Sequence, residues 1–155
     1  MNPKRVLAKD TIVMKLKSDS KDGVIEELID VLVASGRIKD RKAALKAVID
    51  RERKMSTGLQ NGIAIPHGKT DTIESLVAAI GISPAGIPFE SLDGQPAQII
   101  LLTVSPASRT GPHIQFLADI SRVLHNEATR QRVLNATHEE EVLELLSGES
   151  AAPAA

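Results

Sequence analysis

Apolar and polar residues follow two periods along this chain, and the switch between them marks the elements. Residues 11–17 alternate and read as a strand. Ile25, Leu28, Ile29 and Leu32 then recur at helical spacing, with Ser20 or Asp22 placed to cap the helix and Gly36 to end it. Ala44, Leu45, Val48 and Ile49 form the stripe of a second helix, which Asp40 can cap and whose last turn carries Arg51, Glu52 and Arg53. Strand signals follow at residues 62–65, 76–82 and 97–104, the last two apolar enough to lie centrally in a sheet. Residues 86–89 amount at most to a short edge strand, because Pro88 cannot donate to a ladder. The pattern is then helical over residues 112–125, 127–135 and 138–146, and residues 150–155 read as a frayed tail. Helices before and after the strands predict an α/β fold: a mixed β-sheet flanked by helices on both faces. It forms a single compact domain over residues 1–147, with a flexible tail over 148–155.

Composition narrows the function classes. The chain has 155 residues, 42% hydrophobic and 25% charged, enough for one core. Its 19 basic residues are interspersed with 20 acidic ones, and a net charge of −1 gives no pull toward nucleic acid or anionic lipid. Two Phe and no Tyr or Trp leave no platform for stacking bases, so no nucleic-acid partner is expected. The apolar runs at 76–82 and 99–104 fall far short of the roughly 20 residues that span a bilayer. Residues 1–9 are basic but lead into no apolar stretch of signal-peptide length, so a cytoplasmic protein without membrane insertion is expected. The absence of cysteine excludes disulfides and thiol chemistry within the chain.

The stretch Gly62-Ile63-Ala64-Ile65-Pro66-His67-Gly68 carries the chemistry. It reads as a short strand that stops at Pro66 and leaves His67 on a turn at the sheet rim, with Gly68 letting the chain turn away. Upstream, Arg51 and Arg53 end a helix and Ser56-Thr57-Gly58 form a hydroxyl- and glycine-rich loop, so cation, loop amides and imidazole can converge. Gly62 to Thr70 ends in Gly68-Lys69-Thr70 and approaches a P-loop. That motif needs four residues between its glycines, whereas five separate Gly62 from Gly68, and Pro66 removes an amide where the loop wants one. His67, His113, His125 and His138 are dispersed, with no H-x-x-x-H pair, so no metal is expected. His113 follows Pro112 in the first turn of a helix that Thr110 or Gly111 can cap. There it is either a structural residue of the helix start or a partner of an anion, and the positive helix end disfavours its protonated form.

Arg51-Glu52, Ser56-Thr57-Gly58, residues 61–68 and Pro112-His113-Ile114-Gln115-Phe116-Leu117 together resemble the type 2 (fructose/mannitol) enzyme IIA domains of the phosphoenolpyruvate-dependent sugar phosphotransferase system. The likeness runs over about residues 10–147, and nitrogen-related regulatory members share the motifs. It implies a phosphotransferase component in which His67 is the phosphorylated nucleophile, with Arg51 and His113 neutralising the transferred group and Thr57 and the loop amides adding hydrogen bonds. No cofactor is implied. The expected donor is the histidine phosphocarrier protein. The acceptor is a cysteine of an enzyme IIB in sugar uptake, necessarily a separate chain here, or else phosphorylation controls binding to a regulatory target protein. Gln60, where regulatory members often carry glycine, and the turn at residues 109–112 depart from the common pattern and leave the subfamily open.

Overall fold

A computed structural model describes residues 6–148. Its centre is an antiparallel pair, β4 (Val77–Ile87) and β5 (Ala97–Ser105), in register from Val77↔Val104 to Ile82↔Ile99. Over Val77–Ile82 and Ile99–Leu102 the two strands are apolar and buried on both faces because both faces are covered. The short β1 (Ile12–Val13) adds in parallel to β4. On the other side, β2 (Ile63–Ala64) and β3 (His67–Lys69) add in parallel to β5, one after the other.

Alternation along β5 divides the core in two. Ile100, Leu102 and Val104 face a layer built by α1 (Lys21–Ala34) and α2 (Arg41–Lys54), with Phe89 buried among them. Ile99 and Leu101 face the layer of α3 (Gly111–Leu124), α4 (Glu127–Leu134) and α5 (Glu139–Ser147), centred on Phe116. The chain's two phenylalanines thus sit one in each layer, and the expected mixed sheet with helices on both faces is the observed one.

The helices begin and end where local chemistry directs. Ser20 accepts from the Gly23 N–H at 3.1 Å and Asp40 from the Ala43 N–H at 3.0 Å. Gly36, past the end of α1, takes a φ of 81° that a side chain would resist. His138, expected inside the last helix, is instead its N-cap, its Nδ1 accepting from the Glu141 N–H at 3.3 Å. The predicted tail at 150–155 lies outside the described residues.

Three expectations about strands need correction. The strand at 11–17 shrinks to Ile12–Val13. Before it, the Thr11 hydroxyl binds the backbone of Ala8 and closes a 3-10 turn over Lys9–Thr11. After it, the Glu27 carboxylate accepts the N–H groups of Lys17 and Ser18, while the Leu16 N–H still reaches Ile82 at 2.9 Å. Gly86 and Ile87 are no separate edge strand but the end of β4, beyond a register shift between Ile82 and Ile87.

The third correction matters most. The chain does not turn after Pro66. Its carbonyl accepts from the Thr103 N–H at 3.1 Å, and the backbone runs on as β3, so His67 opens a strand rather than sitting on a turn. Gly68 serves close approach, not turning: a Cβ there would lie 2.8 Å from the backbone of Ala47 and of Val48 in α2.

Gly68→Ala therefore forces α2 off β3 and should destabilise the protein by about 1–3 kcal/mol in denaturant titration. Gly111→Ala, where nothing lies within 4 Å of the added carbon, should stay within about 0.5 kcal/mol of wild type. Equal stability of the two variants would show that the helix–strand approach is not a constraint.

Candidate functional site

Because Gly68 faces α2, its neighbours His67 and Lys69 point to the opposite side of the sheet, where α3 lies. The half-buried His67 ring is held from behind, its Nδ1 2.9 Å from the Ile65 carbonyl. A carbonyl only accepts, so Nδ1 carries the proton and Nε2 is left with the lone pair.

His113 arrives from the first turn of α3, its ring centroid 5.4 Å from that of His67 and tilted by 50°. It is only 5% exposed, and its Nε2 lies 2.9 Å from the hydroxyl of the fully buried Thr103. Burial, then the charges of His67 and Lys69, push its pKa down to about 4, so the ring is neutral near pH 7. Neutrality was expected from the helix dipole, yet burial is the leading cause.

The other expected residues gather where α2 ends. Arg51 lies in the last turn of α2, one helical turn past Ala47, whose backbone would meet a Cβ at Gly68. One of its five N–H donors goes to the Met55 carbonyl at 2.9 Å. Glu52, next in sequence, turns inward and is buried. It accepts from the Thr57 hydroxyl at 2.6 Å, the Thr57 N–H at 2.8 Å and the Lys21 ammonium at 2.9 Å. Burial pushes this carboxyl up, but the bonds from Thr57 and Lys21 outweigh it and hold the pKa below the ordinary range. Lys21 also pairs with Glu90 at 3.0 Å and stands over the Phe89 ring at 5.0 Å. The Thr57 carbonyl receives the Ile65 N–H at 3.1 Å, so this ionic cluster is bonded directly to the segment that supports His67.

His67 and His113 are thus brought together, while the one printed bond of Arg51, in the last turn of α2, goes to the Met55 carbonyl. Thr57, expected to donate to a phosphoryl group, spends its hydroxyl proton on Glu52. His125 and His138 stand apart at the end of α3 and the start of α5. Among the described residues no three or more His, Asp or Glu side chains are grouped to hold a metal ion, and no helix is long and apolar enough to cross a membrane. Reading the sequence quoted Glu52 only within the Arg51-Glu52 motif, without a role, and passed over Thr103.

Residues 5–149 match the family described as "Phosphoenolpyruvate-dependent sugar phosphotransferase system, EIIA 2". The chain belongs to this family. It is therefore an EIIA phosphotransferase component, as the two-histidine site suggests. It is 38% identical over 128 residues to the fructose-specific EIIA component of Haloferax volcanii, with 83% of each chain covered. It is 35% identical over 142 residues to the fructose-specific EIIABC component of Bacillus subtilis, covering 92% of this chain but only 22% of that protein. Among solved structures, the nitrogen regulatory protein IIA-Ntr of Neisseria meningitidis superposes with a TM-score of 0.81 at 25% identity, covering 92% of this chain and 97% of that one. The complex of mannitol IIA with phosphorylated mannitol IIB of Escherichia coli superposes with a TM-score of 0.78 at 27% identity, with the same coverage of 92% and 97%.

The EIIA site should weaken in acid. A histidine whose folded pKa is lowered contributes stability in full above the unfolded value of 6.5 and loses it as pH falls to about 4. That contribution is about 3 kcal/mol. Glu52, also lowered, contributes above its ordinary 4.5 and loses its contribution below it. NMR titration should find the His113 ring still neutral at pH 5.5, and a midpoint near 6.5 would contradict the burial argument.

Proposed function

We propose that Nε2 of His67 is the atom that takes the phosphoryl group, from the histidine phosphocarrier protein, and passes it to a cysteine of a separate enzyme IIB in sugar uptake. The observation that carries this reading is the Ile65 carbonyl on Nδ1, which leaves a lone pair on Nε2 beside a second, neutral imidazole. The Nε2 pair attacks phosphorus, the P–N bond to the donor histidine breaks, and that nitrogen regains its electron pair. In the second step a thiolate attacks, the P–Nε2 bond breaks and a P–S bond forms. Arg51 and His113 neutralise the transferred oxygens. Thr57 supports the site through Glu52, holding the loop from which Ile65 hangs. In this reading the protein works in the cytoplasm with no cofactor of its own.

The two fructose-specific relatives, and the mannitol IIA solved with its IIB, support the uptake branch. The likeness to a nitrogen regulatory IIA supports a second reading, in which phosphorylation of His67 controls binding to a target protein.

Incubation with phosphoenolpyruvate, enzyme I and the phosphocarrier should give an acid-labile, alkali-stable adduct that maps to His67 and is lost in His67→Ala. Normal labelling of His67→Ala would overturn the assignment. Arg51→Ala should fold normally yet transfer about 100- to 1,000-fold more slowly, as when one oxyanion donor is removed. Unchanged transfer in Arg51→Ala with slowed transfer in Arg53→Ala would move the role to Arg53. Transfer onward to an enzyme IIB cysteine separates the uptake reading from the regulatory one.

A further inference from the structure

The row of β5 residues facing α3 runs Ile99, Leu101, Thr103, and turns from apolar to polar where it passes beneath the two histidines. Thr103 touches both histidine segments. Its Cα is the register partner of His67 and its N–H binds the Pro66 carbonyl at 3.1 Å, while its hydroxyl lies 2.9 Å from Nε2 of His113.

That last bond can run either way, and the surroundings decide the direction. Thr103 is 0% exposed, and its hydroxyl has no other partner among the described residues. If Nε2 donated, the hydroxyl proton would be buried with no acceptor, which is strongly unfavourable. If the hydroxyl donates, the bond uses its proton and the bare Nε2 together. The imidazole proton must then sit on Nδ1. Among the described residues Nδ1 has no protein partner, yet it is not one of their buried unpartnered atoms, so the small exposed part of this ring includes it.

We propose that Thr103 is a positioning residue: its hydroxyl donates to Nε2 of His113, fixing the proton on Nδ1 and presenting that N–H to the phosphoryl group on His67. No bond is made or broken at Thr103, and His113 exchanges no proton. The other tautomer would turn a lone pair toward the phosphoryl oxygens and repel them. The inference rests on His67 as the acceptor.

The test uses the 15N-labelled protein near pH 7 and the rate of phosphorylation by the phosphocarrier. Wild-type His113 should show a protonated Nδ1 and a bare Nε2. Thr103→Val, which keeps the shape and loses the hydroxyl, should mix the tautomers and slow phosphorylation about tenfold, the scale of one lost hydrogen bond. Thr103→Ser should keep the wild-type tautomer and recover most of the rate. Protonation of wild-type His113 on Nε2 overturns the proposal even if Thr103→Val fails to fold. So does a Thr103→Val variant matching wild type in tautomer and rate while His67→Ala is inert, and then the His67 reading stands. Wild type left unphosphorylated at His67 overturns that reading and this inference together.

Discussion

The pairing of β3 with β5 is the constraint on which the site depends. Parallel register places His67 beside Thr103, and the missing side chain of Gly68 lets α2 close on the other face. A shift of one residue would turn His67 toward α2 and Gly68 toward α3. The meeting of the two imidazoles follows from this pairing, since β3 fixes His67 and α3 brings His113 over it. Pro66 fits because only its carbonyl is needed there, as acceptor for Thr103.

Two electrostatic regimes lie on either side of this strand. Under α3, His113 is neutral. A half-buried imidazole faces a buried one, and burial rather than pairing keeps the second uncharged. At the end of α2 the groups are ionic, with Glu52 held by Lys21 and Thr57 in a cluster that fixes the loop before β2. In the proposed reading a phosphoryl group would bring negative charge to His67, whose strand also carries the exposed Lys69. Glu52 is anionic although buried because Thr57 and Lys21 bond its carboxylate.

Local features were legible in the sequence. Caps at Ser20 and Asp40, the glycine after α1 and the apolar runs of β4 and β5 act over a few residues, and the chain obeyed them. His67 and His113 also stood out, one against a proline and glycine, the other in a helix's first turn. What escaped was non-local. Whether Pro66 ends a strand or interrupts one depends on β5, more than 30 residues later. The role of Gly68 depends on α2, and Glu52 among arginines looks solvated until Lys21, 31 residues earlier, is placed beside it. Thr103 reads as one more β-branched residue of a buried strand, and only the arrival of α3 gives its hydroxyl a partner.

The central claim is that backbone geometry selects the reacting atom: the Ile65 carbonyl holds the proton on Nδ1 of His67 and leaves Nε2 to take the phosphoryl group. Phosphorus–nitrogen couplings and imidazole 15N shifts of the phosphorylated, 15N-labelled protein report the modified nitrogen directly. The account predicts phosphorus on Nε2 of His67 with the proton retained on Nδ1; phosphorus on Nδ1 would contradict it.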